Sequence, residues 1–326
     1  MPNISSRLIV LKKTKLAEMD LIITGFSSEG HQVRTVVKGG RKPGSRRGAH
    51  LELFSVTQVL HHQGRSSLTT VTEAELIKSH SGCRVDIEHS SAAGAVTELV
   101  EVLSRDADAD PRLFLLLDAC LDAIDGTSVD GLELIVAAAL LKVVGQVGFL
   151  PNLETCIVCG RPRTAQKSSP MAGSVTEVAS RKASEKAETS MKVSSGLASN
   201  REALGDDDAQ TVKLHGPIGG HGPMAFSFSQ GGVICLRCRQ MAFGVLTDSG
   251  EASVDFPLTE DLFIPADEAI FDWLVLLVRS RFVELAGYAT TENHTIGRML
   301  LAFARDWMRA QVTPRNRSVD FLMGLG

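Results

Sequence analysis

Aromatic residues are scarce in this chain: 13 Phe, two Trp and one Tyr in 326 residues. The first 80 residues hold only Phe26 and Phe54. Either is as readily core as a stacking platform, so a base-stacking surface there has little to build on. Long apolar runs are missing too. The most apolar stretch, Leu132 to Leu150, is interrupted by Glu133, Lys142 and Gln146. A membrane span needs about 20 nearly uncharged residues, so this stretch reads as a buried helix and no membrane partner is expected. The start offers only Leu8 to Leu11, followed at once by Lys12, Lys13 and Lys15, which is not a secretory signal. Six cysteines in that setting imply a reducing, cytoplasmic compartment and metal rather than disulfides.

Catalytic signatures are absent as well. Gly39 and Gly44 have the glycine spacing of a phosphate loop, but Ser45-Arg46 stands where Lys-Ser or Lys-Thr is required. No H-x-E precedes a C-x-x-C, which argues against a zinc deaminase or hydrolase. The expectation is a protein that is not an enzyme. A surplus of positive charge is missing overall, with a net charge of −4. Yet residues 1–80 hold twelve Lys or Arg against six Asp or Glu. Such asymmetry points the N-terminal part at a polyanion.

What is present begins with short strands: Arg7–Lys13, Leu21–Thr24, Gln32–Lys38, Leu51–Leu60 and Leu68–Val71. In the third, Val33, Thr35 and Val37 share one face and Arg34, Val36 and Lys38 the other. Five short strands joined by tight turns suit a small closed barrel of the OB kind. From about residue 90 the period becomes helical. Ala92–Ser104 is one helix, and Asp110 and Pro111 open another through Ile124. Asp130 is expected to cap a third through Gly145. Asp267–Ala286 and Thr295–Gln311 follow, and the basic end Pro314–Ser318 reads as loose. Arg298, Arg305 and Arg309 fall on one side of their helix, either a solvated face or a second binding surface.

Residues 161–222 contain no aromatic residue and are rich in Ser, Ala, Lys, Glu and Gly. Such a segment buries too little apolar area to offset its ordering entropy and reads as a disordered insertion. It separates two C-x-x-C pairs, Cys156/Cys159 and Cys235/Cys238. Two such knuckles supply four thiolates, the ligand set of a closed, structural zinc site. Loop closure costs only about 0.6 kcal/mol per doubling of length, so the long separation is tolerable. Cys83 and Cys120 read as buried inert thiols. His215 and His221 are surplus to a filled tetrahedron, His61 and His62 read as surface residues, and Asp206 to Asp208 as a solvated triplet.

Arg34, Lys38, Arg41, Lys42, Arg46 and Arg47 form a basic run with no acid, interleaved with glycines. Arginine forks match phosphate oxygens, and a basic loop beside a barrel can track a nucleic-acid backbone. A merely solvated charged hairpin is the competing reading.

Gly148-Phe-Leu-Pro-Asn-Leu153 running into the first knuckle, and Phe226-Ser-Phe-Ser-Gln-Gly-Gly232 running into the second, resemble the RecO family of recombination mediators. Val10-Leu-Lys-Lys13, Leu21-Ile-Ile23 and Val37-Lys-Gly-Gly-Arg41 with Arg46-Arg47 are similar to that family's N-terminal domain. The resemblance covers residues 7–80 and 130–240 well, and the last 60 residues only loosely. It implies an α+β, multidomain bacterial protein. Residues 1–80 would be an OB-fold nucleic-acid-binding domain. Residues 81–326 would be an all-α domain carrying the zinc module. The resemblance also implies binding of single- and double-stranded DNA, strand annealing, and work with RecR to load RecA onto DNA coated by single-strand-binding protein. In some members the acidic, apolar C-terminal tail of that protein docks on the helical domain. Lys38, Arg41, Arg46 and Arg47 would face DNA, and the four knuckle cysteines would bind zinc. Family members usually cross between the knuckles in far fewer residues. An RNA-binding OB protein with a zinc ribbon is the alternative, since such barrels bind either nucleic acid.

Overall fold

The computed structural model describes residues 3–63, 68–105, 107–163, 224–242, 262–265, 269–312 and 315–324. By its contacts the chain divides into Met1–Pro151 with Trp273–Gly326, and Asn152–Asp272.

The first unit begins with β1 (Asn3–Lys15), β2 (Leu21–Ser27), β3 (Gln32–Val37), α1 (Arg46–His50), β4 (Val56–Gln63) and β5 (Thr69–Lys78). The strands close in the order β1-β2-β3-β5-β4, and β4 returns to β1. One pairing, β3 with β5, is parallel. This is a five-stranded OB barrel, as the strand count implied. Alternation in β3 falls as the residue types require, with Val33, Thr35 and Val37 inside. They meet Leu8, Val10, Leu21, Ile23, Val59 and Val71 in a closed core. The fourth strand starts later than the sequence suggests. Residues 51–55 are held in turns, with the Ser55 hydroxyl donating to Glu52 O at 2.7 Å and that of Thr57 to His50 O at 2.6 Å.

The helical layer is α2 (Ile87–Leu103), α3 (Pro111–Gly126) and α4 (Leu132–Gln146). Asp110 caps α3 through the Arg112 N–H, with Pro111 in the first turn, as read from the sequence. At Gly30 (φ 90°) a Cβ would sit 2.2 Å from the Asp110 carbonyl carbon, so only glycine lets the β2–β3 turn meet this cap. Asp130 does not cap α4. It lies in a 3-10 turn and accepts a hydrogen bond from the Thr291 hydroxyl at 2.6 Å instead.

The unit is completed by helices from the C-terminal end. The single helix expected over 267–286 is two, α6 (Ala269–Arg279) and α7 (Phe282–Leu285). Arg281 is extended between them, and its N–H donates to Glu284 Oε2 at 2.9 Å, restarting the helix. The α8 helix (His294–Gln311) buries Leu300, Phe303 and Trp307. The described part of the basic end, residues 315–318, is not loose. Asn316 is buried, donates to Ala95 O at 2.7 Å and caps α9 (Arg317–Leu322) against α2.

The second unit carries a small antiparallel sheet of β6 (Ala225–Ser227), β7 (Gly232–Ile234) and β8 (Leu262–Phe263), in the order β7-β6-β8. A short helix, α5 (Leu236–Ala242), follows the second knuckle. The helical reading of this region had no place for a sheet, because strands of two and three residues leave no periodicity. Phe226, Phe228, Phe263 and Phe271 stack edge to face along it. Residues 161–163 pack onto the first knuckle, with the Arg163 side chain donating to Leu153 O at 3.0 Å. The rest of the expected insertion, with His215, His221 and Asp206 to Asp208, lies outside the described residues. Among the described residues no helix is long and apolar enough to cross a membrane.

Candidate nucleic-acid interface and cysteine cluster

The basic run leaves β3 on its outward face, where Arg34 and Lys38 are both exposed. It turns through Gly39 (φ 65°) and Gly44 (φ 76°), and Ser45 then caps α1 by accepting the Gly48 N–H at 3.2 Å. A cleft of about 570 Å³ results, lined by Asp20, Lys38, Gly39, Lys42, Pro43, Gly44, Ser45, Arg46 and Arg47. Four of the six basic residues therefore share one concavity. Arg34 and Arg41 do not line it.

The six divide by what their side chains hold. Arg41 donates to Ala17 O at 3.2 Å and Glu18 O at 2.7 Å, in the β1–β2 turn. Arg47 donates to Val71 O and Lys38 O, both at 3.3 Å. These two guanidiniums tie the loop to the barrel. Among the described residues the side chains of Arg34, Lys38, Lys42 and Arg46 have no hydrogen bond or ion pair. The one acid in the cleft, Asp20, accepts the Gly39 N–H at 2.7 Å. It fixes the turn and leaves the local charge strongly positive.

The cysteines converge although the stretch from 160 to 234 lies between the pairs. The four sulfurs all lie within 4.8 Å of one another, and Cys159 Sγ is 3.9 Å from Cys235 Sγ. A tetrahedron of sulfurs about 2.3 Å from a central ion has edges of about 3.8 Å, so the spacing fits a divalent metal. It is far too long for a disulfide. Cys156, Cys235 and Cys238 are buried and Cys159 is exposed. Burial pushes the Cys156 thiol up, but the N–H groups of Cys159, Cys235 and Val158 outweigh it and bring it down to about 7. Burial and the neighbouring sulfurs raise Cys238. Four sulfurs in such a space ionise together only with a cation among them. The approach depends on Gly232, where a Cβ would lie 2.3 Å from Ile157 Cγ2.

Other sequence candidates resolve as structure. Burial pushes the Cys83 thiol up to about 12 and Cys120 upward too, so both are inert. His61 is not a surface residue. It is buried on β4, 3.0 Å from the Ser6 hydroxyl, and burial lowers its pKa. The C-terminal arginines are engaged within the fold. Arg305 pairs with Asp306, Arg309 with Asp320, and Arg298 donates to Met323 O. Arg298 and Arg309 thereby reach α9 and the residue that follows it.

One feature of the helical layer escaped sequence reading. A groove of about 650 Å³ has walls of Leu116, Ala119, Ala123, Phe282, Val283 and Ala286, with Lys142, Arg279 and Arg281 along it. Lys142 donates to Val278 O at 2.7 Å and lies over the Phe282 ring, and burial lowers its pKa. A lone lysine in an otherwise apolar helix was the available signal.

Comparison with known proteins agrees with this arrangement. The family model for the recombination protein O N terminal matches residues 1–80, and that for its C terminal matches residues 84–215. The DNA repair protein RecO of Rubrobacter xylanophilus is 34% identical over 170 residues, covering 52% of this chain and 67% of that protein. The one from Cutibacterium acnes is 30% identical over 180 residues, covering 54% and 73%. The one from Desulforamulus reducens is 32% identical over 152 residues, covering 47% of this chain and only 58% of the relative.

Proposed function

This chain belongs to the RecO family of DNA repair proteins, and from that membership we propose a non-enzymatic recombination mediator. Residues 1–80 hold single- or double-stranded DNA, and residues 81–326 engage protein partners. The observation that carries the reading is the cleft in which Lys38, Lys42 and Arg46 present side-chain cations with no partner among the described residues. Each phosphate neutralised releases counterions, so binding falls steeply with salt. Two strands gathered on such a surface lose their mutual repulsion and anneal. With RecR, one strand is passed to RecA on DNA coated by single-strand-binding protein.

The groove between α3 and α7 suits the acidic, apolar tail of that coating protein. Its walls are apolar, and Lys142, Arg279 and Arg281 outnumber its one acid, Asp122. Cys156, Cys159, Cys235 and Cys238 hold zinc, which supplies folding free energy to residues 152–272 and no catalysis. The protein works in the bacterial cytoplasm, on the nucleoid.

The deciding experiment is annealing of complementary strands coated with the cognate single-strand-binding protein, with and without RecR. The expected result is annealing that fades as salt rises. No annealing at any salt would reduce the protein to a generic nucleic-acid binder.

A further inference from the structure

The barrel surface has cations and few rings, with His31 exposed and His50 and His62 half-buried. Residues 1–80 contain no Tyr and no Trp. Their two Phe are sealed in, with Phe26 0% and Phe54 4% exposed. Among the described residues no aromatic or imidazole ring lines the basic cleft. The exposed apolar side chains of the barrel, Ile4, Leu16, Met19, Leu76 and Ile77, are all aliphatic and offer no π face. Leu16 and Met19 flank the turn that Arg41 clamps. OB barrels that sequester single strands do so by stacking bases on aromatic side chains. Among the described residues, that means of holding bases is missing from the basic cleft.

We propose that this barrel grips the sugar–phosphate backbone without engaging the bases, so that a bound strand keeps its pairing edges open to a complementary strand. The inference rests on the reading of the cleft as a DNA site and names what that site recognises. Lys38, Lys42 and Arg46 each supply a point charge or fork to a phosphate oxygen. Arg41 and Arg47 hold the loop that carries them. Such a surface counts phosphates and ignores sequence. It also explains how a nucleic-acid-binding barrel can promote annealing, since stacked bases would have to be released before pairing.

The test compares two ligands of equal length on the full chain, an oligothymidylate and an abasic deoxyribose-phosphate chain, by fluorescence anisotropy. A stacked base contributes about tenfold or more in affinity. Equal affinities within about threefold, with the same dependence on salt, are expected. An abasic chain bound an order of magnitude more weakly would overturn the inference. A Lys42→Glu, Arg46→Glu variant, checked for an unchanged melting temperature, separates the two levels. Loss of both ligands places them in the cleft. Retention of both would instead remove the DNA reading of the cleft, and the inference with it.

Discussion

Chemically similar residues do different work in the basic loop. Arg47 donates to Val71 O and Lys38 O, whereas the Lys42 side chain has no partner among the described residues. Arg47→Ala should therefore lower stability by about 2 kcal/mol, the scale of lost charge-assisted hydrogen bonds. Lys42→Ala should leave stability within about 0.5 kcal/mol and reduce the salt slope of single-strand binding by about 0.7. Denaturant titration paired with anisotropy at several salt concentrations checks both. Equal stability losses in the two variants would erase the distinction. Composition marked these positions as basic, but it did not say which were already spent. Their carbonyl partners lie in other strands and turns, so no local pattern announces them.

At the scale of elements, α2 is pinned to α3 through a histidine. The Asp86 carboxylate accepts the His89 N–H and faces its Nδ1, both within 2.8 Å, while His89 Nε2 donates to Thr127 O at 2.8 Å. Burial lowers the His89 pKa, but the Thr127 carbonyl and Asp86 together outweigh it, and the net shift is upward. A raised value means the bridge contributes fully below the ordinary value of about 6.5 and is lost as pH climbs through the raised one. As pH rises above the ordinary value of about 6.5, melting temperature should fall more steeply in the unaltered protein than in a His89→Gln variant. Parallel curves would show that the ring carries no such charge. The helices themselves were legible because Asp110, Pro111 and the apolar spacing act locally. The break at Ser280 and Arg281 was not, since an apolar run continues across it.

For the whole molecule, the two contact units make separate demands. The cysteine quartet lies within residues 152–272, so removing metal should loosen that unit and spare the barrel. Hydrogen exchange after chelation should show protection lost at residues 152–163 and 224–242 and kept in β1 to β5. Cys156→Ser should reproduce this, because one missing thiolate opens the tetrahedron. Unchanged protection across 152–242 after complete metal removal would mean that the Phe226, Phe228, Phe263 and Phe271 stack suffices alone.

The barrel, most of the helical layer, the two cysteine pairs and the family were legible in the order of residues alone. Each of these rests on a period, a cap or a short spacing that neighbouring residues enforce. Tertiary packing alone made Arg41 and Arg47 braces, buried His61 and docked the terminal helix through Asn316. It alone brought Cys159 to 3.9 Å from Cys235 and set Lys142 in an apolar groove. Those outcomes depend on which distant backbone groups come to lie within hydrogen-bonding reach, and chain closure fixes that where local propensity cannot.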